Sequence, residues 1–250
     1  MNRFIKTRVL NAYIVKLIFR VTIFLAAFGL YVVDKHIFTQ ILITPLLGWV
    51  APIHVLWFVF MCIMLTHIFP LEILTMALRK ADEKIYVKQE DYEEIELLKY
   101  VQDQNVKAWM VMLVWLIFNA CFGVLYLFGF IEEIDLLMLT VFYFLCDYIC
   151  ILFFCPFQTF IMKNKCCVNC RIYDWGHFMM FTPMLFIRDF FSWSLFFTSC
   201  VVLIKWEITY AKHPERFWSG SNKNLQCTNC QDKTCQMKKK ITRAVTGKLD

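Results

Sequence analysis

The sequence predicts an all-α integral membrane protein, a polytopic helical bundle of four to five spans with a Cys-rich polar loop and a C-terminal tail. Three observations predict it. Hydrophobic residues make up 60% of the 250-residue chain and aromatic residues 18%, against roughly 45–50% apolar in a soluble domain. The apolar residues gather into runs near the roughly 20 residues that a bilayer crossing needs. The basic residues sit in short clusters beside those runs, the pattern of cytoplasmic membrane-protein loops, so the net charge of +6 does not call for nucleic acid.

Taken in order, Arg3, Lys6 and Arg8 precede a first span over residues 14–33. Lys16 and Arg20 in its first turns are placed to snorkel toward headgroups. This run has no small-residue cleavage site after it and reads as a retained anchor. Residues 37–52 are apolar but short and broken by Pro45, Gly48 and Pro52, which predicts an interfacial or re-entrant piece. A second span follows over residues 53–74, with His54, His67 and Pro70 inside it. Residues 79–107 mix Arg79, Lys80, Lys84 and Lys88 with Asp82, Glu83, Glu90, Asp91, Glu93, Glu94 and Glu96. Leu97, Leu98 and Val101 give this stretch an apolar stripe, so it reads as a solvated amphipathic helix beside the membrane.

Further spans are predicted over 108–130 and 136–162, joined by an acidic turn at Glu132, Glu133 and Asp135. Residues 163–177 form a polar loop. Residues 178–206 are apolar except for Arg188, Asp189 and Lys205. By length they make one plain fifth span. A return to the starting side, turning near Arg188-Asp189, is favoured instead by Lys163, Lys165 and Arg171 before the run and Lys238, Lys239, Lys240 and Arg243 after it. Residues 1–206 thus form the transmembrane domain and 207–250 a polar, Cys-rich, basic tail. Counting basic residues puts the N-terminus and residues 79–107 and 163–171 on the cytoplasmic face of an integral protein of the plasma (inner) membrane.

The most specific feature is a cysteine spelling used twice, Cys-x-Asn-Cys. Cys167-Val168-Asn169-Cys170 follows Cys166, and Cys227-Thr228-Asn229-Cys230 precedes Cys235. With 12 cysteines in the chain, chance alone gives roughly 0.6 Cys-x-x-Cys pairs. The weight therefore lies in the shared Asn and in the restriction to polar stretches. Two such knuckles supply the four thiolates of a zinc or iron–sulfur site, and Asn suits a turn that needs left-handed backbone. Cys167, Cys170, Cys227 and Cys230 are the expected ligands, with Cys166 and Cys235 as alternates. A thiol redox or disulfide role is the competing use. Cys62, Cys121, Cys146, Cys150, Cys155 and Cys200 fall in apolar runs and read as small packed hydrophobes, Cys146 and Cys150 sharing a helix face.

Ionisable groups at membrane depth are costly and mark function. Asp147 lies near the middle of the fourth predicted span, with Arg188 as one candidate partner and proton or cation passage as one candidate use. His54 and His67 are roughly 20 Å apart along one helix and point to different faces, so they do not share a ligand. Tyr173, Trp175 and His177 read as an interfacial aromatic belt, and the 213–218 segment as a structured lead into the tail. No catalytic residue is assigned, because no Walker loop, Gly-x-Ser-x-Gly or His-Glu-x-x-His motif occurs.

The expected function is a thiolate-bound metal or iron–sulfur cluster at the cytoplasmic surface, moving electrons within a larger membrane redox assembly. A soft-metal-ion transporter or channel and a zinc-stapled membrane scaffold are the alternatives. The expected partners are the lipid bilayer and a redox protein or complex.

Overall fold

The computed structural model describes residues 8–45, 48, 50–69, 75–90, 92–164, 166–230, 232, 235 and 238. Arg3, Lys6, Pro70 with the end of the second predicted span, Asp91, Lys165, Lys239, Lys240 and Arg243 lie outside these residues. Among the described residues the regular structure is helical, with no β-strand. Its helices are α1 (Arg8–Val33), α2 (Lys35–Ile43), α3 (Pro52–Ile68), α4 (Met76–Arg79), α5 (Glu94–Leu127), α6 (Glu133–Leu152), α7 (Gly176–Phe181) and α8 (Phe190–Lys212). Four of them, α1, α5, α6 and α8, are long and apolar enough to cross a membrane, and α3 is a shorter apolar helix.

The long legs run alternately between two ends of the bundle. At one end Tyr13 of α1 meets Tyr148 of α6, with ring centroids 5.5 Å apart. At the other, Tyr31 and Lys35 both bond Asp135 at the start of α6, at 2.5 and 2.7 Å. The carboxylate of Asp34 caps α2 by accepting from His36 N–H at 2.7 Å, which turns the chain sharply after α1. Trp57 Nε1 donates to Ser194 Oγ at 2.7 Å and joins α3 to α8. The main core gathers Met64, Trp115, Leu136, Tyr143, Phe181 and Leu195 from α3, α5, α6, α7 and α8.

Three stretches differ from the sequence expectation. The solvated helix and the third span are one continuous 34-residue helix, α5, about 51 Å long. No Gly or Pro interrupts residues 94–122, so the helix has no reason to stop where its surroundings change. The acidic half of the charged stretch instead opens α5, with Glu94 and Glu96 in its first turn, where the helix dipole favours them. Residues 80–90 are not part of a helix with α5. They hold a short 3₁₀ turn, Glu83–Ile85, and an isolated antiparallel bridge from Lys88 to Asn222.

The fourth predicted span ends early, at Leu152. Pro156 lacks an N–H and its ring collides with the carbonyl of Leu152, so the chain breaks there and resumes as a π-helical turn, Phe157–Ile161. Finally, residues 178–206 are not one rod. The segment from Tyr173 through α7 to a 3₁₀ stretch, Thr182–Phe186, is about 25 Å long. It reaches the far end of α5, where Phe186 lies against Gly123. Asp189 then caps α8 by accepting from Phe191 N–H at 3.0 Å, and α8 runs back. Arg188 and Asp189 are exposed at that turn.

Both cysteine groups consequently sit at the same end of the bundle. Val168 and Cys230 share a small buried cluster with Ala77 and Leu225, and Cys166 packs against it. The tail closes over this end. Lys223 N–H donates to Val87 O and Gln89 N–H to Ser221 O, each at 2.9 Å. Phe217 packs edge-on to Trp206 and Tyr210, with centroids 5.1 Å away in both cases.

Candidate functional site

The first cysteine knuckle is held from below by a lysine. Lys80 is fully buried, and its ammonium donates to Val168 O at 2.7 Å and Cys170 O at 2.6 Å. Burial pushes Lys80 down to about 8, against the partial pull of the nearby cysteines and Asp174. The turn itself is closed by Cys170 N–H on Cys167 O at 3.1 Å. Neither Asn169 nor Asn229 adopts left-handed backbone; among the described non-glycine residues only Lys163 does, with φ 49. The expected role of Asn as a left-handed pivot is therefore corrected. Val168 and Asn169 turn their backbone N–H groups to the Cys166 sulfur instead, and Asn229 Nδ2 donates to Lys223 O at 2.9 Å.

The six knuckle thiols part company. Cys167 and Cys170 are buried, Cys230 is buried in the neighbouring cluster, and Cys227 is exposed. Cys235 is close enough to Cys166 to add to the charging cost that burial puts on that thiol. Among the described residues no group of three or more His, Cys, Asp or Glu side chains is arranged to hold a metal ion. All twelve cysteines are free thiols.

Cys167 and Cys170 face a different set of sulfurs. They line a cavity of about 550 Å³ between α5, α6 and the π-helical turn, together with Cys146, Cys150, Cys155 and Asp147. Its remaining walls are almost wholly apolar, among them Trp115, Tyr143 and Met179. On its rim Val114, Phe118, Phe142 and Phe154 are 44–49% exposed, so the opening is greasy and lateral. Cys150 and Cys155 hydrogen-bond to each other, and Gln158 N–H donates to Cys155 Sγ at 3.4 Å. Those two donors hold Cys155 below its ordinary thiol value despite its burial. Gln158 has a second part in the cavity. Its Oε1 accepts from Lys238 Nζ at 2.5 Å and from Cys167 Sγ at 3.5 Å. Its Nε2 is buried with no partner. Because a lysine only donates, the amide cannot be turned over to relieve this, and Nε2 stays a buried N–H without an acceptor.

Beside the cavity lies a buried polar network. Asp147 pairs with Arg20 at 2.7 Å, not with Arg188. The guanidinium lies 4.1 Å above the ring of Phe144 and 3.8 Å above that of Tyr148. Arg20 therefore does not snorkel; it stands mid-way along α1 and is spent on a partner in α6. Asp147 Oδ1 rests where a Cβ on Gly176 would come within 2.9 Å. His67 Nδ1 meets Asp174 Oδ1 at 2.5 Å, and His67 Nε2 lies 3.3 Å from His177 Nε2. Burial raises the Asp174 carboxyl, with His67 pulling the other way. A small cavity of about 50 Å³ opens on this pair, lined also by Asp82, Lys205 and Thr209. His54 takes no part: Ala51 N–H donates to its Nδ1 at 2.9 Å at the start of α3.

The Tyr173–His177 segment is thus interior. Trp175 Nε1 donates to Glu207 Oε1 at 2.8 Å, and Tyr173 and Tyr13 hydroxyls are 2.6 Å apart. Lys80, Asp174, Cys150 with Cys155, and Gln158 are site residues that sequence reasoning did not single out. Pro156 was the available signal, since it forces the break that brings Cys155 back to Cys150.

Fold and site together define a helical bundle with four helices of membrane-crossing length and a thiol-lined apolar cavity at one end. Compared with known proteins, the chain matches no family model, no curated protein and no solved structure.

Proposed function

We propose that this is a membrane thiol-redox protein that passes electrons between its cysteines and a lipid-soluble, quinone-type carrier held in the cavity. The observation that carries the reading is the convergence of five thiols on one apolar, laterally open cavity of about 550 Å³. Cavities of this size and lining suit small apolar ligands fixed by a few polar groups. Gln158 borders the cavity, and a small turn of its amide would bring the unpartnered Nε2 to a carrier's carbonyl oxygen. The paired sulfurs Cys150 and Cys155 supply the electrons. Their two S–H bonds break, a Cys150–Cys155 disulfide forms, and the two electrons and two protons convert the quinone to its hydroquinone. Cys155 attacks most readily as thiolate, and its neighbours favour that form.

The cysteine end would face the cytoplasm of the plasma membrane, as the clustered basic residues favour. A bound metal remains the competing form of the same electron-transfer idea. It would need Cys167 and Cys170 to turn toward Cys227 and Cys230, away from the cavity they line.

The experiment uses reduced full-length protein in nanodiscs with decylubiquinone as probe. We expect one hydroquinone per protein and a Cys150–Cys155 linked peptide by mass spectrometry, lost in Cys155→Ser and kept in Cys227→Ser. Equal yield in Cys155→Ser overturns the reading. So does a brown preparation absorbing near 400 nm with stoichiometric iron.

A further inference from the structure

We propose that Asp174, His67 and His177 form a proton relay leading from the small polar cavity toward the Asp147 wall of the thiol-lined cavity. The use of this relay rests on the redox reading above; its existence does not.

The geometry specifies one consistent set of protons. Asp174 Oδ1 lies 2.5 Å from His67 Nδ1, and a carboxylate only accepts, so Nδ1 carries the hydrogen. His67 Nε2 is then a bare acceptor, and the nitrogen 3.3 Å away, His177 Nε2, must donate to it. That leaves His177 Nδ1 as an acceptor, and this atom is buried without a partner. The chain Asp174–His67–His177 therefore ends in an open lone pair. A proton arriving at His177 Nδ1 displaces the one on Nε2 to His67, whose Nδ1 hydrogen moves to Asp174. The reverse sequence delivers a proton outward from the same atom.

The Asp174 end of this chain borders one cavity, and the His177 end stops one residue short of another. Asp174 and His67 border the small cavity, which also meets Asp82 and Thr209 beside the cap. At about 50 Å³ it accommodates a water molecule, with polar partners to hold it. At the other end, the residue before His177 is Gly176, which borders the thiol-lined cavity and carries Asp147 against its backbone.

The charged groups that bear on the relay come from every packed element. They are Arg20 on α1, Lys80 after α4, Asp147 on α6 and Lys205 on α8. Arg20 is already committed to Asp147, and Lys205 bonds Ile68 O at the end of α3. Neither cation is therefore placed to block the histidines by ion pairing. The two S–H protons match the two that the quinone takes up, and a relay to the outer cavity lets them leave and return where sulfur and quinone oxygen do not touch.

Two arms test this in full-length protein in nanodiscs. The first needs no quinone: ¹⁵N-histidine NMR reads the tautomers. We expect the Nδ1–H form at His67 and the Nε2–H form at His177, with both tautomer populations changing in Asp174→Leu, which removes the acceptor. Histidine signals that are unchanged in Asp174→Leu overturn the relay. The second arm is the rate of decylubiquinone reduction. His177→Gln is expected to slow it at least about tenfold with the final yield unchanged, and added imidazole to restore most of the rate in His67→Ala. An unaltered rate in both variants overturns the relay. If the wild type makes no hydroquinone at all, the redox reading fails and the NMR arm alone decides on the relay.

Discussion

One ion pair, Arg171 with Glu207, ties the cysteine loop to α8, and breaking that pair should cost very different amounts from its two sides. Arg171 sends Nη1 and Nη2 to the two carboxylate oxygens of Glu207 on α8, at 2.9 and 2.6 Å. Its Nη2 also donates to Asn105 Oδ1 on α5 at 3.1 Å, and its guanidinium covers the Tyr210 ring at 4.0 Å. The Arg171 side chain is 7% exposed and that of Glu207 31%. Glu207→Leu strands a cation that water scarcely reaches, left with one amide and one aromatic face. Truncating one partner of a buried pair costs about 3–5 kcal/mol. Arg171→Met strands a carboxylate that is nearly a third exposed and still accepts from Trp175 Nε1 at 2.8 Å, so solvent screening limits its cost to about 2 kcal/mol. The double variant leaves no unpaired charge and is expected to cost less than Glu207→Leu alone, giving a coupling of at least about 2 kcal/mol. Denaturant unfolding in detergent micelles measures all four forms. Iodoacetamide labelling of Cys167 and Cys170 reports the same loosening locally. Strictly additive single effects, or an Arg171→Met cost above that of Glu207→Leu, would refute the argument.

Other outcomes follow from the packing. Gly123→Ala puts a Cβ within 2.2 Å of the Phe186 ring, an overlap expected to cost about 1–3 kcal/mol; Phe186→Leu in the same chain should recover part of it, and a full additive loss would refute the contact. Gly176→Ala pushes on Asp147 Oδ1, which would stand 2.9 Å from the new methyl, and is expected to weaken the Arg20 pair; equal unfolding midpoints for Gly176→Ala and wild type would count against it. Lys80 falls from 10.5 to about 8 on burial, so the unfolded chain holds this proton more tightly than the folded one. The resulting penalty is complete below pH 8 and is relieved as pH rises from 8 toward 10.5. Buried thiols such as Cys170, pushed up to about 12, act in the opposite sense above pH 9. The clean quantity is therefore wild-type stability minus that of Lys80→Met, expected to rise by about 1 kcal/mol between pH 7 and 9. A flat difference would mean that Lys80 keeps its charge throughout.

The helical class and most of the apolar runs were legible because composition and run length speak for themselves. Asp189 was legible as an interruption because a charged pair splits an apolar stretch, and it proves to be the cap of α8. What escaped was every contact made between distant stretches. Lys80 sits among alternating charges that read as a solvated face, yet its burial is decided by carbonyls at 168 and 170. Arg20 looked like an interfacial cation because nothing near it in sequence announces Asp147, 127 positions away.

The cysteines of the cavity show the limit most clearly. In an unbroken helix positions 150 and 155 stand about 140° apart around the axis, which makes Cys150 and Cys155 separate packed thiols. The helix is not unbroken. Pro156 stops α6 at Leu152, and the chain that continues past it returns Cys155 to Cys150 and starts the π-helical turn that offers Gln158. The knuckle at Cys167–Cys170 then closes the same cavity. A spacing rule reads chemistry only where the backbone stays regular, whereas here the thiols meet because it does not. The breaks in this chain, at Pro156 and at Asp189, are therefore the places where sequence spacing is converted into a site.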